Sequence, residues 1–437
     1  MRYHLVTLGC PKNVADSEKL ERLLREAGHR PSSLAAAETV IVNTCGFIDA
    51  AKEQSINTIL RLAMKKRPSQ RLVVAGCLPE LYAKELAKEI EQIDHLFGVE
   101  AWEEIAAVAG KSAPVAEAAP DEVRHQPPSP QRVSAYLKIA DGCNARCSFC
   151  LIPRIKGRLH STPIDSLIAE AQRLAREGVR ELVLVAQDST TYGRDLGMRD
   201  GLPDLLERLA EKAPDIPWIR VMYSYPGHIS RRLVEAMANL PQVCHYLDIP
   251  LQHSSAAVLR RMRRPSDIAE VRRTLERLRT AMPDIALRTT FLVGFPGETE
   301  GEFQGLLDFI REVRFDHIGA FPFSPQPGTE AARLPDQVPE RVKRRRYREL
   351  MEAAQQVSWE RNREWVGREM TVLVESKPGK TGHEGPLFAG RSYRDAPEVD
   401  GMVVCSGTAT PGELRRVRIT QALPYDLLAA PADSSAS

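Results

Sequence analysis

The sequence lacks any run approaching the roughly 18 uncharged apolar residues of a membrane-spanning helix. Its opening, MRYHLVTLGC, has neither the charged leader nor the long apolar core of an export signal. An excess of charge is also missing. Sixty Lys/Arg against 58 Asp/Glu leave +2, too weak a field to mark the whole chain as a nucleic-acid binder. Any basic patch is therefore local. Eight cysteines in 437 residues without an export signal argue against a disulfide framework. In a reducing compartment, grouped thiols are more often metal ligands or catalysts. The expectation is a soluble, cytoplasmic chain of two or three domains with no membrane contact.

What is present falls into three blocks. Residues 1–111 alternate β-branched runs (HLVTLGC, TVIVNTCGF, RLVVAGCLP) with amphipathic stretches (SEKLERLLREAG, AKEQSINTILRLAMKK, AKELAKEIEQI). That βαβα rhythm implies a parallel sheet with helices on its faces. Residues 112–132 hold five prolines and no periodic pattern, and read as a linker. Residues 133–365 repeat the rhythm in six strand–helix units, from AYLKIA to HIGAFPFS. A full parallel barrel needs eight, so an open (β/α)6 barrel is expected. Residues 366–432 are rich in β-branched residues and glycine without a helical period, which fits a small β-barrel. Residues 433–437 read as a disordered tail.

CNARCSFC sets Cys143, Cys147 and Cys150 at C-x3-C-x2-C, directly after the first barrel strand. Three thiolates on one loop can ligate three irons of a cubane cluster and leave the fourth iron open. An open iron can chelate the amino and carboxylate groups of S-adenosylmethionine, whose carbon–sulfur bond one electron then breaks, the cofactor carrying the chemistry. A zinc site with a distant fourth ligand is the bland alternative, but zinc sites more often pair one C-x2-C with another, and none follows. Cys10, Cys45 and Cys77 lie 35 and 32 residues apart, yet each ends a predicted strand. In a parallel sheet such positions converge on the carboxyl edge, which makes a second three-cysteine site; otherwise they are three small buried residues. Cys244 and Cys405 have no companions and read as packing residues.

The runs LGCPKNVADSE, VNTCGFI, AGCLPE, DGCNARCSFCLIP, AQDSTTYG, LDIPLQHSS, LRTTFLVGFPGETE, LPDQVPE and GRSYRDAPEVDG together resemble the radical S-adenosylmethionine methylthiotransferases, in the branch that modifies a ribosomal protein. The resemblance covers nearly the whole chain. It departs at Val14-Ala15, where the family often has Leu-Val, at Lys156, where an arginine is usual, and at Thr162-Pro163, where Arg-Pro is usual. It implies an auxiliary 4Fe–4S cluster on Cys10, Cys45 and Cys77, a radical 4Fe–4S cluster on Cys143, Cys147 and Cys150, and a terminal TRAM module. The implied reaction replaces a hydrogen on the β-carbon of an aspartate in small-subunit ribosomal protein twelve by a methylthio group. An electron-donor protein is implied as a second partner.

Cofactor contacts are expected at the carboxyl ends of the barrel strands: Gln187 and Asp188, Gln252, Arg288, and Gly294, Gly297 and Glu298 of GFPGE. Each of these can equally shape a turn or cap a helix, and His253 can equally be a structural histidine. The run Arg341, Lys343, Arg344, Arg345, Arg346 and Arg348 reads as a solvated helix face or as a contact with ribosomal RNA. Asp395, Glu398 and Asp400 are the densest acidic group of the terminal barrel; they either meet a basic substrate or cap turns.

A tRNA adenosine methylthiotransferase is the nearest rival. Those enzymes usually read Gly-Cys-Gln-Met-Asn where this chain reads Gly9-Cys10-Pro11-Lys12-Asn13. An RNA-binding terminal barrel should also be basic, whereas residues 366–437 carry eight Lys/Arg and nine Asp/Glu. A non-catalytic iron–sulfur carrier would explain the cysteines but not a six-unit barrel.

Overall fold

The structure is a computed structural model that describes residues 1–109, 132–376, 379–380 and 385–432. The expected linker, apart from Arg132, and the expected disordered tail lie outside the described residues.

The first unit is a parallel sheet of β1 (Arg2–Thr7), β2 (Arg30–Pro31), β3 (Thr39–Thr44), β4 (Arg71–Gly76) and β5 (His95–Phe97), in the order β2-β1-β3-β4-β5. Helices α1 (Pro11–Glu26), α2 (Asp49–Lys65), α3 (Cys77–Glu89) and α4 (Trp102–Ala109) accompany it. β3 reads TVIVNT and is buried at every position, as a strand covered on both faces must be. Its period-2 alternation sends Val40 and Val42 to one apolar cluster with Ile59 and Leu62, and Ile41 to another with Leu20, Leu24 and Trp102. β2 and β5 were not expected from sequence; at two and three residues they are too short to show alternation. Helix α1 starts earlier than its amphipathic stretch suggests, at Pro11, whose fixed φ suits a first helical turn.

The second unit contains β6 (Ser134–Lys138), the short pair β7 (Ala140–Asp141) and β8 (His160–Ser161), then β9 (Glu181–Val185), β10 (Trp218–Val221), β11 (Val243–Asp248), β12 (Ala286–Val293) and β13 (His317–Pro322). Six of these run parallel in the order β13-β12-β11-β10-β9-β6. Among the described residues β13 and β6 do not pair, so the barrel is open. Its helices are α5 (Ile152–Ile155), α6 (Ile164–Arg176), α7 (Gly201–Lys212), α8 (Arg231–Asn239), α9 (Ala256–Arg261), α10 (Ile268–Ala281), α11 (Glu300–Val313) and α12 (Glu340–Arg363). Leu182 and Leu184 face the helices, while Val183 and Val185 face the lumen.

The third unit has β14 (Glu369–Val374), β15 (Gly379–Lys380), β16 (Pro386–Ser392), β17 (Val403–Ser406), β18 (Leu414–Ala422) and β19 (Leu427–Pro431). The neighbours β14-β18-β19-β17-β16 close through β16 back onto β14, giving a five-stranded barrel. Cys405 lies in its core beside Val372, Phe388 and Val417, and Cys244 packs in the lumen of the larger barrel.

This small barrel forms a floor under the open one, at the amino ends of its strands. Glu181, the first residue of β9, is buried between Arg220 (2.7 Å) and Arg391 of β16 (2.5 Å). Burial alone would raise its carboxyl, but the two guanidiniums hold it down to about 2. Removing one member of such a buried group costs roughly 3–5 kcal/mol, because a charge is left unpaired.

The floor corrects the reading of the acidic cluster as a docking face. Asp395 is 4% exposed and accepts from Ser392 Oγ (2.6 Å). The Asp400 side chain is 2% exposed and accepts from Tyr246 Oη (2.7 Å) and Arg288 Nε (3.2 Å). Only Glu398 of the three is exposed. The basic run is also not a uniform patch. Lys343 and Arg346 are buried, Arg346 donates to Glu298 (3.0 Å), and Arg345 donates to Glu300 (2.5 Å).

Candidate functional site

The loop after β6 and β7 carries Cys143, Cys147 and Cys150, and each sulfur meets one N–H donor. Ala145 N–H donates to Cys143 Sγ (3.4 Å), Ile152 N–H to Cys150 Sγ (3.4 Å), and Arg264 Nη1 to Cys147 Sγ (3.7 Å). The loop is pinned through Ser148, whose N–H and hydroxyl donate to Met262 O (3.1 Å) and Arg261 O (2.7 Å). Phe149 meets Phe295 edge-on at 6.3 Å. Burial pushes the Cys150 thiol up to about 12, so a bound metal must displace its proton. Three sulfurs each receiving a donor suit iron–sulfur ligation, where hydrogen bonds to sulfur tune the potential.

The second triad is assembled by the sheet. β1, β3 and β4 are neighbours, and Cys10, Cys45 and Cys77 follow their carboxyl ends. Gly9 has φ +101°, and a Cβ there would stand 2.7 Å from Cys45 Cβ; Gly76 has φ +98°, and its Cβ would stand 2.5 Å from Asn43 Oδ1. Only glycine allows these turns. Asn13 Nδ2 donates to Leu8 O (2.8 Å) and Thr44 O (3.0 Å), and Asn43 Nδ2 donates to Asn13 O (2.9 Å), tying two of the three cysteine turns together. Burial pushes the Cys77 thiol up to about 12, opposed by Lys156 and reinforced by Cys45 and Cys10. Among the described residues, no three of His, Cys, Asp and Glu close around one point as ligands of a single ion. A cubane instead spreads its thiolates over separate irons, which suits wider triads.

One member of the sheet triad touches the segment that follows the loop triad: Cys77 packs in one apolar cluster with Leu151, directly after Cys150, and Ile155. A buried charge bridge crosses beside them. Lys138 of β6 pairs with Asp16 of α1 and with Asp141 (2.9 Å), and Lys156 pairs with Asp16 (3.2 Å) and Asp141 (3.1 Å). Burial would raise the Asp141 carboxyl, but the two ammonium groups hold it well below the usual range. Gln187 Nε2 donates to Asp141 Oδ1 (2.7 Å), leaving its buried Oε1 without a partner among the described residues. An orphaned buried acceptor at the mouth of the barrel fits a ligand that brings a donor.

The other expected contacts differ in their availability. Gln252 lies beside β12 with φ +72°, its N–H donating to Thr290 O (2.8 Å) and its carbonyl accepting from Leu292 N–H (2.8 Å). Glu298 is committed within the structure, accepting from Gly294 N–H (2.6 Å), Phe295 N–H (3.1 Å) and Arg346. Gly297 donates its N–H to Asp336 O (2.9 Å). Arg288 is spent on Asp248 (3.0 Å) and on Asp400 of the floor. Asp188 accepts from Thr190 N–H (3.0 Å) and pairs with His228 (3.0 Å). Burial drives the His253 ring down to about 3, so it is neutral. Sequence reasoning missed Lys12, Asp16, Lys138, Asp141, Tyr223, Tyr225 and Arg264. Lys12 and Asp16 lie in LGCPKNVADSE and Asp141 opens DGCNARCSFCLIP, but none of the seven carries a spacing signal.

An open six-stranded parallel barrel with a three-cysteine loop at its carboxyl end defines the radical S-adenosylmethionine class, and residues 137–310 match the Radical SAM superfamily. Residues 2–98 match Uncharacterized protein family UPF0004, and residues 366–431 match the TRAM domain. The chain is 47% identical to ribosomal protein uS12 methylthiotransferase RimO of Chloroflexus aurantiacus, over 98% of this chain and 99% of that one. It is 43% identical to the Geobacter sulfurreducens protein of that name, over 97% of each. The chain belongs to the ribosomal protein uS12 methylthiotransferase family. In fold it is similar to the radical S-adenosylmethionine methyltransferase TsrM from Kitasatospora setae, with a TM-score of 0.56 at 14% identity over 76% of this chain and 73% of that one. It is likewise similar to the cobalamin-dependent radical enzyme OxsB, with a TM-score of 0.51 at 12% identity over 81% and 56%.

Proposed function

We propose that this chain adds a methylthio group to the β-carbon of an aspartate in ribosomal protein uS12. Cys143, Cys147 and Cys150 hold the radical cluster, and Cys10, Cys45 and Cys77 hold the auxiliary one. The reading is supported by a cysteine loop at the barrel mouth and three cysteines on adjoining strand ends, linked by the packing of Cys77 on Leu151, in a chain alike over its full length to enzymes of that name. When bound, the clusters and S-adenosylmethionine supply the electron, the hydrogen-abstracting radical, the sulfur and the methyl group.

The chain's own residues prepare the chamber. Donors from Ala145, Ile152 and Arg264 hold the three loop sulfurs in place. The Asp16–Lys138–Asp141–Lys156 bridge keeps the first unit against the mouth of the barrel. Gln187 offers its free Oε1, and Gln252, on a strained left-handed turn, presents its side chain beside β12. The small barrel shuts the far end of the lumen, which limits water and so protects a reactive radical. Unit limits follow at 1–111, 133–365 and 366–432.

A protein electron donor is a further partner, since each cleavage consumes an electron. Contact with ribosomal RNA would fall to Arg341, Arg344, Arg345 and Arg348, the exposed members of the basic run. Among the described residues no helix is long and apolar enough to cross a membrane, and we place the reaction in the cytoplasm with its ribosomal substrate. The test is anaerobic reconstitution with iron, sulfide, S-adenosylmethionine and a reductant, followed by mass spectrometry of uS12. Gain of a methylthio group on one aspartate is expected. Modification of a tRNA adenosine with uS12 untouched would overturn the reading.

A further inference from the structure

Lys12 is placed against its local preferences. It lies in the first turn of α1, where the helix dipole disfavours a cation. It reaches into the interior junction of the first two units while keeping partial exposure. Its Nζ stands 3.3 Å over the Tyr223 ring, and it makes no ion pair with a carboxylate among the described residues. The charged groups facing it are Cys10, Tyr223 and Asp248. Asp248 is already committed, with Oδ1 accepting from Arg288 Nη1 (3.0 Å) and Oδ2 from Tyr223 N–H (3.2 Å). An interior cation with a ring for a partner and no carboxylate lacks part of its compensation. Such a cation suits an anionic ligand.

Position identifies the anion. Tyr223 lies beside Lys12 and within the electrostatic reach of Cys10. Two residues on, Tyr225 lies under the Arg264 guanidinium (4.4 Å) and within reach of Cys147 and Cys143. The segment Tyr223-Ser224-Tyr225 thus runs from one triad toward the other, and Ser224 Oγ is buried without a partner among the described residues. A carbon that loses a hydrogen at one triad and gains sulfur at the other must sit along this segment. Resting on the proposed function, we propose that Lys12 binds the side-chain carboxylate of the substrate aspartate. The reacting β-carbon is bonded directly to that carboxyl carbon, so one ion pair on Lys12 fixes its place between the triads. The same contact makes the enzyme select aspartate over its neutral isostere asparagine.

The experiment uses the anaerobically reconstituted full chain and two peptides spanning the modified uS12 segment, one with aspartate and one with asparagine at the target. Affinity is read by fluorescence anisotropy, and methylthio product is read per S-adenosylmethionine cleaved. Wild type is expected to bind the aspartate peptide at least about tenfold more tightly, the scale of one charge-assisted hydrogen bond. Lys12→Met should bind the two peptides alike, and Lys12→Arg should recover part of the preference. Equal binding of both peptides by wild type overturns the inference without any variant, so a folding defect in Lys12→Met does not shield it. An aspartate preference that survives Lys12→Met also overturns it. So does a variant whose only changes are in S-adenosylmethionine affinity or in the auxiliary cluster's potential, which would make Lys12 a cofactor contact or a counter-charge to Cys10. If wild type prefers the aspartate peptide yet never modifies it while cleaving S-adenosylmethionine, the proposed function fails and takes the catalytic purpose of Lys12 with it, a result read in a separate arm.

Discussion

The two cysteine triads are built by opposite means. One occupies eight consecutive residues, CNARCSFC, and its cysteines need only a loop; the other draws one cysteine from each of three strand ends and exists only when the sheet has formed. The loop triad takes its N–H donors from within the loop and from Arg264, whereas the sheet triad depends on Gly9, Gly76, Asn13 and Asn43 to bring its turns together. A local motif resists damage elsewhere in the fold. A dispersed one reports on it.

Substitutions can separate the two. The largest effect is expected from Cys147→Ala, which removes an iron's thiolate in the loop triad and should abolish reductive cleavage of S-adenosylmethionine, read as 5′-deoxyadenosine formed. Retained cleavage in a reconstituted variant would remove this loop from the chemistry. Next, changing Cys10, Cys45 and Cys77 together to Ala should lower iron from about eight to about four per chain, the content of two and of one cubane. Methylthio transfer should disappear while cleavage continues. A triple variant that keeps all its iron would break the contrast between the triads.

A smaller effect is expected from Gly9→Ala, which replaces no proposed ligand. Its new methyl would press on Cys45 Cβ from a left-handed backbone, a strain of about 1–3 kcal/mol. Iron at the sheet triad should fall in part, with the loop triad's electron paramagnetic resonance signal intact. If iron is unchanged, the sheet triad tolerates more than its geometry suggests. The smallest effect is expected from Arg264→Gln. Losing a cation and donor beside Cys147 should move the radical cluster's reduction potential to more negative values, because the reduced form loses more stabilisation. A potentiometric titration in which the auxiliary cluster moves instead would misplace Arg264.

The contrast also accounts for what could be read in advance. The cysteine loop was legible as a motif. The sheet triad was legible because TLGC, VNTC and VAGC repeat one cysteine at one strand position, and a parallel sheet turns equivalent positions into neighbours. β2 and β5 were invisible, being too short for any period. Arg288 on a strand looked like a free ligand donor because nothing nearby in sequence shows that Asp248 and Asp400, from another strand and another unit, neutralise it. Asp395 and Asp400 looked like a surface cluster for the same reason: charge composition does not say which carboxylates meet buried arginines. The bridge of Asp16, Lys138, Asp141 and Lys156 joins residues up to 140 positions apart, and long-range pairing leaves no local pattern.

The floor has a consequence for the order in which the molecule is made. Glu181 and Arg288 leave the ribosome well before Arg391 and Asp400, which give Glu181 its second guanidinium and Arg288 its second carboxylate. Until the small barrel emerges, the growing chain carries an open-ended tube in which the Glu181–Arg220 and Asp248–Arg288 pairs and an apolar surface including Tyr246 and Val183 lack their cover. The lumen is therefore closed at that end only once the small barrel has formed, so a chain released before β14 leaves it open to solvent.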